Sequence, residues 1–124
     1  MNIDRVNSEL QKELQHILSY ELKDPRLEDA GMISVMRAEA TRDLKYCKVF
    51  LSLMDAKDPK GSIKSIQQMA GYIRKLLFGR LKIRAVPQLI FELDESINYG
   101  IHIDKILRGL NISHEDTMDS DDEE

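Results

Sequence analysis

The sequence is short of cysteine, aromatic residues and long apolar runs, and each shortage removes a class of protein. A single cysteine, Cys47, among 124 residues rules out an internal disulfide and fits a reducing compartment. No stretch approaches the roughly 18 consecutive apolar residues that suggest a membrane-crossing helix. The opening residues, MNIDRVNSELQKEL, carry charges every few positions and no apolar run, so they do not read as a signal peptide. A cytoplasmic location is expected. Catalytic signatures are missing as well: there is no GxSxG, no Walker loop and no GxGxxG. His16, His102 and His114 are scattered, without ligand spacing to Cys47, which argues against zinc. Asp94 and Glu95 are neighbours at a strand end, where side chains point apart and make poor acid–base partners. The chain reads as non-enzymatic, with no metal and no cofactor.

Acid is missing from one particular stretch. Residues 60–91 hold seven Lys and Arg and not one Asp or Glu, in a chain of formal net charge −4. The negative sign comes from the other end: seven of the 22 acids lie in the last ten residues. Without them the body has 18 basic and 15 acidic residues, a net of +3. A solvated helical face usually mixes both signs, because like charges repel. A run of one sign is the footprint of phosphate contact, although a chance excess on an exposed face would look the same.

What is present reads as alternating helices and strands. Ile3, Val6, Leu10, Leu14, Ile17 and Leu18 recur at helical steps, and the helix should end near KDPR, because a residue before proline leaves the helical region. Cys47, Val49, Leu51 and Leu53 alternate with polar or outward residues, which is strand rhythm. Residues 33–40 are β-rich with a blurred alternation that suggests a bulge, and TRDL joins the two strands as an antiparallel hairpin. Asp58-Pro59 reads as an N-cap followed by proline at the first helical position. Leu89, Phe91 and Leu93 share one face of a third strand. Ser96 caps a closing helix with Ile97, Ile103, Ile106, Leu107 and Leu110 inward. The expected fold is a single α+β domain over residues 1–112, with helices on one face of a three-stranded sheet. Residues 113–124 form an acidic tail too poor in apolar groups to order itself.

The helical stripe Ile63, Ile66, Ala70, Ile73, Leu77 contains Gly71, which costs a helix about 1 kcal/mol relative to alanine. Two readings stay open. In one the helix runs straight through, and small Ala70 and Gly71 let the sheet approach closely. In the other the helix kinks, and a second helix starts with unsatisfied N–H groups that attract anions. Tyr72 and Phe78 flank the basic run but read equally well as core, which weakens a base-stacking role.

Several phrases together resemble the ribosome-binding factor A family, bacterial factors of small-subunit assembly. They are ILSYELKDPRL (17–27), RDLKYCKVFLS (42–52), AGYIRKLLFGRLKIRAVPQLIFELDES (70–96) and YGIHIDKIL (99–107). The resemblance implies a KH domain of type II order, in which a helix-kink-helix replaces the GxxG loop. The family's kink reads Ala-any-Gly, so it maps onto Met69, Ala70 and Gly71, with methionine in place of the first alanine. It further implies a monomer that binds the free 30S subunit and its 16S rRNA, with an assembly GTPase as a candidate further partner. The implied action is in late maturation, including 5′-end processing, and matters most in the cold. Charge and family position together nominate Lys64, Arg74, Lys75, Arg80, Lys82 and Arg84 for phosphate contact. Lys45 and Lys48 on the second strand, and Lys23 and Arg26 in the loop, extend that surface. The alternatives are a general single-stranded RNA-binding module and a protein-interaction adaptor.

Overall fold

Asn2 opens the first helix, α1 (Ile3–His16), by accepting the N–H groups of Asp4 and Arg5 on its Oδ1 at 3.0 and 3.3 Å. In the computed structural model, residues 2–95 are described; the expected closing helix and the acidic tail lie outside them. Val6, Leu10 and Leu14 form the buried stripe of α1. The chain then continues through a π-helical turn, Ile17–Glu21, closed by the Leu22 N–H on the Ile17 carbonyl at 2.8 Å. This turn places both Ile17 and Leu18 in the core. The helix stops where KDPR predicts. Asp24 caps a short 3-10 turn, Pro25–Leu27, by accepting the Arg26 N–H at 2.9 Å.

Strands β1 (Met32–Ala40) and β2 (Tyr46–Met54) pair antiparallel, with Ile33 opposite Leu53 and Val35 opposite Leu51. The blurred alternation of β1 is a bulge between Val35 and Arg37. The extra residue restores the inward parity, so Val35 and Ala38 both reach the core. Strand β3 (Gln88–Leu93) pairs parallel with β2, giving the order β1-β2-β3. Cys47, Val49 and Leu51 stand opposite Leu89, Phe91 and Leu93 on the face that the helices cover. Cys47 is buried, and burial pushes its thiol up to about 11, so it is a core side chain and not a nucleophile. Leu10, Leu14, Leu51, Ile66, Ile73 and Leu77 are fully buried as well. Each such side chain contributes about 1.5–3 kcal/mol through burial.

Two turns hold the sheet ends. Gly31 sits at φ +69°, and a Cβ there would overlap the Met54 carbonyl oxygen. In the TRDL turn, Leu44 adopts φ 59° and is nonetheless buried. A left-handed leucine costs about 1–2 kcal/mol, offset by the side chain it inserts into the core.

Both outer edges of the sheet are closed by side-chain amides. On α1, Gln15 accepts the Val35 N–H at 2.7 Å and donates to the Ile33 carbonyl at 3.1 Å. Gln11 donates to the Val35 carbonyl at 3.0 Å, and Asn7 accepts the Ala40 N–H at 2.9 Å. Across the sheet, Gln67 donates to the Leu89 carbonyl at 3.0 Å and accepts the Phe91 N–H at 2.7 Å. The four-residue spacing of Asn7, Gln11 and Gln15 puts one amide per helical turn against β1, satisfying groups that would otherwise invite a foreign strand.

Candidate nucleic-acid interface

The basic run folds as a broken helix pair. Asp58 caps α2 (Pro59–Gln68), accepting the Gly61 N–H at 3.2 Å, with Pro59 at the first position. Helix α3 (Ala70–Leu77) starts two residues after α2 ends. The hinge is Met69, at φ −97° and ψ 5°. Its N–H donates to the Ile66 carbonyl at 2.9 Å, and its own carbonyl accepts the Ile73 N–H at 3.0 Å. One residue therefore closes the first helix and starts the second. The Met69 side chain is buried, which pins the bend to the core.

This decides between a straight and a broken helix, and it corrects the close approach expected at Gly71 in the straight reading. The helix does not run straight through. Nor does Gly71 make room for the sheet, because among the described residues outside its own helix backbone and chain neighbours nothing lies within 4 Å of the position its Cβ would occupy. The buried methionine stands at the kink, and the kink involves no close approach at glycine.

Four of the nominated cations are engaged within the fold. The Arg74 guanidinium donates to the Val86 carbonyl at 2.8 and 3.0 Å and to Pro87 at 3.2 Å, tying α3 to the chain just before β3. It also lies over the Phe78 ring, 5.4 Å from the centroid. Arg80 forks onto Glu21 at 2.6 and 2.5 Å, with Glu13 at 4.0 Å. The Arg80 hydrogen bond holds the Glu21 carboxyl down at about 2, and His16 adds a second bond at 2.9 Å. Arg26 forks onto Asp24, both bonds at 2.9 Å, and reaches Gln68 at 3.4 Å. That fork lowers the Asp24 carboxyl to about 2. Lys48 faces Glu92 at 3.8 Å, on the sheet face opposite the helices. The stretch that lacks acid in sequence thus acquires acid in space, since α1 and the π-helical turn after it bring Glu13 and Glu21 against Arg80.

The other six, Lys23, Lys45, Lys64, Lys75, Lys82 and Arg84, are exposed and form no ion pair among the described residues. Lys64 and Lys75 project from α2 and α3. Lys82 and Arg84 lie on the return segment beside the first turns of α1. Lys23 shares a cleft of about 410 Å³ with Arg26, Met69 and Tyr72, so the KDPRL loop meets the kink. Lys45 stands apart in the β1–β2 turn, where its carbonyl accepts the Gln88 N–H at 2.9 Å. Tyr72 and Phe78, which could have been core, are each 56% exposed. Sequence reasoning missed Arg5, whose pairing with Glu9 at 3.3 Å looks like an ordinary helical surface pair. No local pattern reports that residues 82–84 fold back beside it.

A sequence model of the family described as "Ribosome-binding factor A" matches residues 2–107. The chain belongs to the ribosome-binding factor A family. The ribosome-binding factor A of Clostridium botulinum (strain Eklund 17B / Type B) is 42% identical over 106 residues, covering 84% of this chain and 90% of that protein. Among solved structures, the crystal structure of ribosome-binding factor A from Thermus thermophilus matches with a TM-score of 0.64. It is 18% identical and covers 75% of this chain and 97% of its own. A Thermus thermophilus homology model, described as fitted into the cryo-EM map of a complex of that factor with the 30S subunit, matches with a TM-score of 0.57. It is 19% identical over 72% of this chain and 91% of its own. These likenesses establish the KH-like α+β fold. In this ribosome-binding factor A family member the matched span contains the kink, the KDPRL loop and the return segment.

Proposed function

We propose that this chain is a non-catalytic assembly factor that binds the free 30S subunit through its 16S rRNA. It acts as a monomer late in subunit maturation, including 5′-end processing, and an assembly GTPase releases it. Membership of the ribosome-binding factor A family carries the reading, and the relative described in complex with the 30S subunit supports the choice of partner. The geometry suggests how binding works. The six unpaired cations meet phosphates, each displacing a condensed counterion. Of the engaged ones, Arg74, Arg80 and Arg26 hold α3, the return segment and the loop in the positions from which the others project, while Lys48 pairs across the sheet. Base stacking on exposed Tyr72 and Phe78 is the natural accompaniment.

Sedimentation of cell extracts tests this. The factor should travel with free small subunits and be absent from translating ribosomes, and its binding should be lost after nuclease treatment. Equal recovery with translating ribosomes would refute an assembly role. Binding that survives nuclease would favour a protein adaptor, and equal affinity for random RNA a general single-strand binder.

A further inference from the structure

The return segment between α3 and β3 runs back along α1. Arg80 meets Glu13 and Glu21 near the end of that helix, and residues 82–84 reach its beginning. There a cleft of about 460 Å³ opens between the two, a volume in the range of small-ligand sites. Its walls hold three cations, Arg5, Lys82 and Arg84, against one carboxylate, Glu9. Glu9 is occupied by the Arg5 Nε at 3.3 Å, which leaves the terminal guanidinium nitrogens of Arg5 as donors. Asn2 spends its Oδ1 on the helix cap, so its side-chain NH2 is available as a further donor at the rim. The floor is apolar, made by buried Val6 and half-buried Ile83.

Convergent cationic donors around an apolar floor fit a molecule that is anionic at one end and flat or apolar at the other. We propose that this cleft binds one phosphate-bearing nucleotide of single-stranded RNA. The phosphate sits among Arg5, Lys82 and Arg84, and the sugar or base edge lies on Val6 and Ile83. A duplex would present a convex ridge of phosphates and touch only the rim, whereas an unpaired nucleotide can enter. The inference rests on the RNA-binding reading above and adds α1 to the interface.

Fluorescence anisotropy of the full chain with a labelled oligouridylate tests it, beside binding to purified small subunits. Arg5→Gln, Lys82→Gln and Arg84→Gln should each weaken oligouridylate about five-fold at 0.1 M salt and lower the log–log salt slope by about 0.7. Glu9→Gln, which removes the opposing charge, should tighten it. Lys12→Gln makes the same charge change on an exposed position of α1 that does not line the cleft, and should leave affinity within about two-fold. Circular dichroism melts confirm that each variant folds. If Arg5→Gln binds like wild type, or Lys12→Gln weakens binding as much as Arg5→Gln, the cleft is not the site. Retained subunit binding in that case leaves the assembly-factor reading standing, whereas a wild-type chain that ignores the subunit overturns that reading itself.

Discussion

Gln67 offers the sharpest test of how the sheet is finished. Its amide both donates to the Leu89 carbonyl and accepts the Phe91 N–H. A glutamate has nearly the same shape but, when ionised, only accepts. Gln67→Glu therefore keeps the Phe91 bond and sets a carboxylate oxygen against the Leu89 carbonyl. Gln67→Ala removes both bonds, each contributing about 1 kcal/mol net, so it should cost about 2 kcal/mol. At about 4 °C per kcal/mol that is a fall in Tm of about 8 °C. Near pH 7, Gln67→Glu should be destabilised by a similar amount. Its pH dependence carries the decisive sign. A protonated carboxyl can donate to Leu89 again, so the folded state raises the pKa of the introduced glutamate above its unfolded value of about 4.3. The restored stability is fully present below that unfolded value and is lost as pH rises through the folded one. The gap to wild type, measured at matched pH by urea unfolding, should therefore narrow below about pH 5. Hydrogen exchange of the Phe91 amide gives a local readout: protection should survive in Gln67→Glu and fall in Gln67→Ala. A constant gap across the pH range, or a Gln67→Ala variant as stable as wild type, would refute the edge-capping argument.

Three further outcomes are expected, two from the structure and one from the sequence. Gly31→Ala combines a left-handed backbone with overlap on the Met54 carbonyl, and should cost more than about 2 kcal/mol in thermal melts; a loss below about 1 kcal/mol would mean that the 54–56 turn yields freely. The Arg80 hydrogen bond depresses Glu21 from 4.5 to about 2, so its stabilisation is present above the unfolded value of 4.5 and is lost as pH falls toward 2. Arg80→Gln should consequently lose stability at neutral pH, and its difference from wild type should shrink across that acid range. Deleting residues 113–124, which hold seven acids, should tighten RNA binding at low salt if the tail competes for the cations; unchanged affinity in filter binding would leave it a solubilising appendage.

Much of the fold was readable because local periodicity determines it. The α1 stripe, the β2 alternation and the Asp58-Pro59 start depend on residues within a few positions of one another. The bulge in β1 was legible too, as a blurred alternation. What could not be read depends on distant partners. Asn7, Gln11 and Gln15 look like a wet helix face until β1 is placed beside them. Gly71 drew attention as the weak point of a helix; the break falls at Met69, the first position of the Met69-Ala70-Gly71 kink that the family resemblance implied, and its side chain is buried. Charge was the least legible quantity. Composition shows which side chains are cationic but not which find acids: Arg80 and Glu21 are 59 positions apart in sequence and share a fork in space. A charge reversal of Arg80, which sequence alone would recommend as a binding test, would instead break the return segment's anchor.

The central claim is that the unpaired cations contact phosphate while the engaged ones support the fold. The direct measurement is the salt dependence of small-subunit binding for a variant with Lys64, Lys75, Lys82 and Arg84 all changed to Gln, alongside its thermal melt. The slope should fall by about 3 to 3.5 log units per log unit of salt, with the melting temperature close to wild type. An unchanged slope in a folded variant would contradict the claim.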